Sequence, residues 1–440
     1  MSDDGQTVRL TGVGAALHFL VDGLCACCLF LLADCTTGLG LLGAFLIYNV
    51  LAFLTQPLTG MLADRIYQPG LLLQGTVALL AFGVAVASFV TSRSSLLAPH
   101  FSLLTSIFLG MGNSLFHVWG GRQVALATGN DIRALGVFVS TGAFGLAVGM
   151  VFCSWWLLYV LLALIALLTI YILRDRPCYG RSNAPSCARP WLAWCTVLLL
   201  MGFVLFRSFA GASFTAGLAK GSGMMLLIGV MAMTGKALGG WVVRGGWGFA
   251  VVLACVAACL LLTASVGWLW LPGLLFINGT MAITLYWANS ALPGREGLAF
   301  GLLAAALMPG YLLAQASQLQ ALTSHSSFLI SSLLLTLLPT IAIELLVLWS
   351  LRERRADVLG SSVVVNLLTN VPLHLFLVFV SSSVTAIVVG EVLVLVIEML
   401  WYRYFVSSWR QAFMYSFLCN GVSCLTGLLV QLVSRLCFLL

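Results

Sequence analysis

Charge is what this 440-residue chain has least of: Asp, Glu, Lys and Arg together make up 8% of it. Soluble domains carry about 25%. Acidic groups are scarcest, with 13 Asp and Glu against 20 Lys and Arg. Hydrophobic residues make up 61%, and the mean hydropathy is +1.10. No folded surface in water hides that much apolar area, so a water-soluble fold is excluded. Lipid must be the solvent.

Other absences narrow the function. No glycine-rich nucleotide-binding loop is present, and no Ser/His/Asp nucleophile arrangement, which argues against an ATP-driven pump and an intramembrane hydrolase. The chain does not read as an enzyme, and no cofactor is expected. MSDDGQTVRL at the N-terminus has a single basic residue, Arg9, and lacks the basic region of a cleavable signal. The first apolar run is therefore expected to remain as a helix. Of the 13 cysteines, most lie inside apolar runs, as Cys25, Cys27 and Cys28 do, and behave as small buried hydrophobes. Cys178 and Cys187 share a polar loop but have no nearby histidine. No metal site is expected.

What the chain has in abundance is apolar runs long enough to span a bilayer, which takes about 20 residues. They are expected near 10–33, 38–63, 69–90, 98–121, 133–153, 154–173, 191–211, 222–243, 247–268, 270–291, 296–315 and 326–350. Three more follow near 359–380, 384–402 and 411–438. The runs are continuously apolar and do not alternate, so helices are expected rather than a barrel.

Arginine placement tests this spacing, because cytoplasmic loops collect positive charge. With the N-terminus inside, Arg65, Arg122, Arg133, Arg174, Arg176, Arg181, Arg189, Arg244, Arg295, Arg352, Arg354, Arg355, Arg403 and Arg410 all fall on the cytoplasmic side. Arg9 and Lys236 join them. Arg93 and Lys220 fall outside, while Arg207 and Arg435 lie inside or near the ends of helices. The net charge of +7 thus follows from topology and implies no nucleic-acid partner. The expected location is a plasma membrane (a bacterial inner membrane), with the C-terminus outside.

The arginine-, proline- and serine-rich stretch 174–190 reads as a cytoplasmic linker. It would join a six-helix bundle at 1–173 to a second at 191–350, and LRERRAD at 351–357 sets off a three-helix membrane module at 351–440. The expected fold is all-α, two six-helix bundles plus three extra transmembrane helices. Weak internal repeats support two halves. The segment from Leu58 to Arg65 matches that from Leu238 to Arg244, and Gly112 to Trp119 loosely matches Gly279 to Tyr286. HFLVDGL matches FVLFRSF, which sets Asp22 opposite Arg207.

An ionised Asp22 near mid-membrane costs at least about 2.5–3.5 kcal/mol on insertion scales. It must be protonated, paired or facing water. Opening to opposite sides would change its proton occupancy, the physical basis of coupling; a static ion pair with Arg207 is the alternative. Arg207, always charged and fork-shaped, suits an anionic substrate group or Asp22 equally. His18 lies four residues before Asp22 on one helical face, as a coupling group or an ordinary satisfied histidine. Tyr48, Asn49, Asn113, Asn278, Tyr286, Trp287 and Asn289 read as cavity positions or as helix glue. Glu344 lies toward the inner end of its helix.

In the last three helices Asn366 and Asn370, Glu391 and Glu398, and Ser416, Asn420 and Ser423 each keep one face. Facing lipid would be prohibitive, so they are expected to form a polar core. Its role is packing, docking of a protein partner, or proton or ion handling by Glu391 and Glu398. Those two glutamates would also be the acid/base pair of a membrane-embedded enzyme, the remotest reading.

TGMLADR at 59–65 resembles the signature loop of the major facilitator superfamily, roughly G-x-L-A-D-R. The resemblance implies that Gly60, Asp64 and Arg65, with Arg122, control inward and outward opening. The second-half copy has Arg244 in place of the aspartate. Residues 110–149 are similar to the helix four to five segment of fosmidomycin-resistance-type transporters, with Ser-x-x-His-Pro-x-(Ala/Gly)-x-Arg after a glycine-rich turn. Ser114, Phe116, His117, Gly121 and Arg122 fit, and Val118 stands where proline is usual. HFLVDG at 18–23 and LFRSF at 205–209 fit that group's first and seventh helices. The resemblance adds His117 to the candidates and implies an alternating-access transporter, its cavity lined by helices one, four, seven and ten. It would move a small organic solute, coupled to protons, with export the favoured direction. A non-transporting membrane sensor or assembly scaffold is the rival, favoured by the extra module.

Overall fold

A computed structural model describes residues 3–36, 38–90, 98–174, 190–218, 221–243, 270–321, 327–379 and 383–439. Among them every regular element is helical. The expected span 247–268, most of the 174–190 linker with its cysteines, and Arg93, Lys220 and Arg244 lie outside the described residues, as does the side chain of Arg435. Eleven described helices are long and apolar enough to cross a bilayer. The other four expected spans include residues or side chains outside that description.

The chain divides into two compact units, one of residues 1–187 and 199–316, the other of residues 188–198 and 317–440. The first begins with α1 (Asp3–Ala33) and a second span built in pieces: α2 (Gly38–Asn49), a π-helical turn (Val50–Leu54) and α3 (Gln56–Arg65). Pro57 accounts for the break, since it donates no backbone hydrogen bond and its ring crowds the preceding turn. Then come α4 (Gly70–Val90), α5 (Ala98–Ala127), α6 (Ile132–Val151) and α7 (Trp155–Arg174). The second half has α8 (Pro190–Leu218), α9 (Ser222–Val243) and α10 (Trp270–Ala291). Its eleventh span is again divided, as α11 (Glu296–Ala305) and α12 (Leu307–Ala321), with Pro309 just past the break.

Glycines set how these helices meet. Lipid supplies no hydrophobic drive between spans, so close packing through small residues holds them together. In the first half, α6 lays Gly145 and Gly149 against the backbone of α1 at Phe19 and Gly23. In the second, α12 lays Gly310 against α8 at Leu205 and Ser208. Gly110 of α5 packs on the second span at Tyr48 and Leu51, while Gly235 and Gly239 of α9 pack on Leu275 and Gly279 of α10. The halves meet along two seams. Span two touches span eleven where Gly60 meets Gly297 and Gly301 meets Gln56. Span eight touches span five where Gly240 meets Ile132 and Gly136 meets Lys236. Shifting every span by six exchanges one seam for the other, which is the pseudo-twofold relation of duplicated halves.

In the second unit α13 (Ser327–Ser350) packs with α14 (Ala356–Phe379) and α16 (Trp409–Leu439), and α15 (Val384–Phe405) packs with α14 and α16. The first residues of α8 join this unit: Trp194 packs on Phe405 with ring centres 5.7 Å apart and covers Gly360. The sequence places α13 in the second bundle and starts the module at 351. In the structure α13 belongs with the helices that follow it. Lys236 also needs correction. It sits inside α9, two helical turns before the end, and so ranks with the intramembrane charges rather than with the cytoplasmic set.

Candidate functional site

His18 and Asp22 project from one face of α1, and α5 brings His117 and Asn113 to them. Asp22 is buried, 7% exposed. Its Oδ1 accepts the Asn113 amide at 3.0 Å and lies 3.4 Å from His117 Nε2, while Oδ2 lies 3.3 Å from His18 Nε2. The two Nε2 atoms are 2.9 Å apart. α6 closes the group, because Gly142 faces Asp22 Oδ2 and His18 Nε2 so closely that a Cβ would collide with both. Phe138 packs on the His18 ring with centres 4.9 Å apart.

The outer nitrogens assign the protons. His18 Nδ1 lies 2.8 Å from the Phe138 carbonyl, and His117 Nδ1 lies 3.0 Å from the Asn113 carbonyl. A carbonyl only accepts, so both Nδ1 atoms carry hydrogen. Were both rings neutral, two Nε2 lone pairs would face each other at 2.9 Å. A positive centre between them, a proton or a metal ion, removes that repulsion, and the Asp22 carboxylate is placed to balance it.

A second buried cluster lies where the halves meet. Asp64 near the end of α3 takes the backbone N–H of Gly297 on Oδ1 and that of Leu298 on Oδ2, each at 2.9 Å. These are free donors of the first turn of α11, where an anion is favoured. Arg122 Nε donates to Asp64 Oδ1 at 3.1 Å, and its side chain is 1% exposed. Gly60 one turn earlier permits the contact, since a Cβ there would strike the Gly297 backbone. Three of the four expected gate residues therefore converge, and Arg65 lies exposed beside them.

Arg207 is buried in α8, where its guanidinium donates to Thr280 Oγ1 at 3.3 Å and reaches Met281 Sδ at 2.8 Å, both on α10. Asn289, read from sequence as a cavity position or as helix glue, donates from α10 to Asn130 Oδ1 at 2.9 Å, a packing contact. Asn130, with φ 64°, is part of the tight turn between α5 and α6.

The second unit holds its own polar core. Glu344 and Glu398 are both fully buried. Asn366 donates to Glu344 Oε2 at 2.5 Å and accepts from Asn370 at 2.9 Å. Asn420 donates to Glu398 Oε2 at 2.5 Å, and Thr369 Oγ1 lies 3.1 Å from Oε1. Glu391 is half-buried. Glu344, rather than Glu391, is thus the second carboxyl of the hydrogen-bonded core. Glu353, between α13 and α14 and outside the spans, accepts at Oε2 from Arg355 at 2.7 Å and from Tyr415 of α16 at 2.8 Å.

Sequence reading missed Gly142, which matters only through the space it leaves, and the N–H groups of Gly297 and Leu298, which are backbone and which no residue type advertises.

No family model and no curated protein matches the chain. Solved structures do. The fucose:proton symporter FucP of E. coli superposes with a TM-score of 0.53 at 15% identity, covering 72% of this chain and 93% of the symporter. The human organic anion transporter MFSD10 (TETRAN) superposes with a TM-score of 0.51 at 20% identity, covering 73% of this chain and 95% of the other. The chain shares the all-α membrane fold of these two proteins.

Proposed function

We propose that this protein is an alternating-access secondary transporter that moves a small organic solute in exchange for protons, across a plasma membrane of the bacterial inner type. The observation that carries the reading is the His18–Asp22–His117 cluster, buried in the first half of a fold whose two seams are interchangeable. Alternating access needs two arrangements of near-equal energy. Equivalent glycine seams supply them, and the contact of Asp64 with α11 holds one seam shut. The histidine pair with its carboxylate is suited to hold a proton in one arrangement and release it in the other. Arg207, fixed on the facing half by α10, suits an anionic group of the solute. FucP is by name a proton symporter, which supports proton coupling but not exchange, and MFSD10 is by name an organic anion transporter, which supports an anionic group on the solute.

Gly60, Asp64 and Arg122 act as the gate, with Arg65 at its rim. The N-terminus is cytoplasmic and the C-terminus lies outside, as the arginine partition requires, and export is the direction the sequence resemblance favours. The second unit, with Asn366, Asn370, Glu391, Glu398 and Asn420, serves as a docking element for a protein partner. A sensor or scaffold derived from a transporter is the competing reading. The hydrogen-bonded core of that unit favours it, being more than simple anchoring requires.

The test uses the full chain in vesicles with an internal pH-sensitive dye, challenged with sugars and organic anions. At least one solute should drive proton movement in wild type and not in Asp22→Asn. Flux equal to empty vesicles across the whole panel would support the scaffold.

A further inference from the structure

We infer that His18, Asp22 and His117 form a binding site for a divalent transition-metal ion of the Zn2+ or Co2+ class. The inference deepens the proposed function, because the ion would occupy the coupling site. It does not depend on which solute is carried.

Three features carry it. Both histidines have Nδ1 tied to a backbone carbonyl, at 2.8 and 3.0 Å. That is the outer-shell arrangement which presents Nε2 as a fixed, unprotonated ligand. The two Nε2 atoms and an Asp22 oxygen lie within 4.8 Å of one another, on two helices that cannot part without disturbing the bundle. The spacing also fits. Ligands 2.0–2.1 Å from a tetrahedral Zn2+ stand about 3.3–3.4 Å apart. His18 Nε2 stands 3.3 Å from Asp22 Oδ2 and His117 Nε2 stands 3.4 Å from Oδ1, so each histidine is at ligand spacing from one oxygen of the carboxylate. The 2.9 Å between the histidines has to open by about 0.4 Å, and a small turn of the carboxylate brings one oxygen to both rings.

The donor set selects the ion. Two imidazoles with one carboxylate suit Zn2+, Co2+ and their neighbours, whereas Ca2+ takes six to eight oxygens and Mg2+ an oxygen octahedron. Three protein ligands leave a fourth position for water. Asp22 is held for the task by the Asn113 amide at 3.0 Å. Sequence spacing could not reveal the site, because His18 and His117 come from different helices.

The experiment is titration of the purified full chain in detergent with Co2+, followed by Zn2+. One equivalent of Co2+ should give the visible absorption of four-coordinate cobalt with nitrogen ligands, and Zn2+ should abolish it. His18→Gln and His117→Gln should each weaken binding at least about tenfold, and both keep every cysteine. Gly142→Ala, which fills the space beside Oδ2 and Nε2, should weaken it without removing a ligand. Monodisperse elution of each variant shows that it folds. Identical titrations for wild type and the double histidine variant would overturn the site, as would no saturable binding in wild type. No pH gradient or solute is involved, so failure here leaves the transport reading standing. Failure of solute-driven proton flux with intact cobalt binding would remove the transport reading alone.

Discussion

Asp64 Oδ1 accepts the backbone N–H of Gly297 at 2.9 Å, joining residues 233 positions apart. An acid at the end of span two thereby caps the first turn of α11, and Arg122 sits against the same oxygen. The contact is strong because it is buried and reversible because it joins the two halves without a covalent link. That combination is what a gate requires.

Asp64→Ala should open this seam and leave Arg122 buried without its carboxylate. Removing one partner of a buried pair costs about 3–5 kcal/mol. A lower thermal unfolding temperature in detergent is expected, with faster thiol labelling of a cysteine placed at residue 298. Unchanged labelling would show that the contact does not hold the seam.

Glycine substitutions separate seam from surface. The three atoms nearest a Cβ on Gly60 are backbone atoms of Gly297 and Leu298, well inside contact distance, so the helices must move apart. Gly60→Ala should cost about 1–3 kcal/mol by overpacking. Gly12 has nothing within 4 Å, and Gly12→Ala should be neutral or stabilising by up to about 1 kcal/mol from helix propensity. Thermal unfolding of the two variants side by side checks the order.

Glu353 gives a pH dependence outside the spans. Burial alone would raise its pKa, but the hydrogen bonds from Arg355 and Tyr415 and the Arg355 charge outweigh it, bringing the carboxyl from 4.5 down to about 2. A depressed folded pKa means that the stabilisation is complete above 4.5 and fades as pH falls through about 2. Wild type should therefore lose thermal stability from neutral pH toward about pH 3 more steeply than Glu353→Gln. Parallel profiles would show that the group contributes nothing to acid sensitivity.

Much of this was legible in the sequence because lipid imposes strict rules. Apolar length set the positions of the spans, and the cost of an intramembrane charge marked Asp22 and Arg207. TGMLADR marked the segment whose Asp64 contacts α11 and Arg122. What stayed hidden depends on pairing between distant helices. His18 looked like a lone histidine until α5 placed His117 2.9 Å away. Glu344 looked ordinary near its helix end, yet Asn366 reaches it from α14. Asn289 stood between cavity position and helix glue until Asn130 of the distant turn was placed beside it. Lys236 was misplaced because a charge two turns inside a span resembles one at its edge when only spacing is read.

The most direct test of the account separates solute movement from proton movement at Asp22. In vesicles carrying Asp22→Asn, exchange of labelled for unlabelled solute should persist, because the fold and the Arg207 side remain intact. Accumulation driven by an imposed pH gradient should vanish. Gradient-driven accumulation at the wild-type level in that variant would contradict the proposal that the His18–Asp22–His117 cluster couples protons to transport.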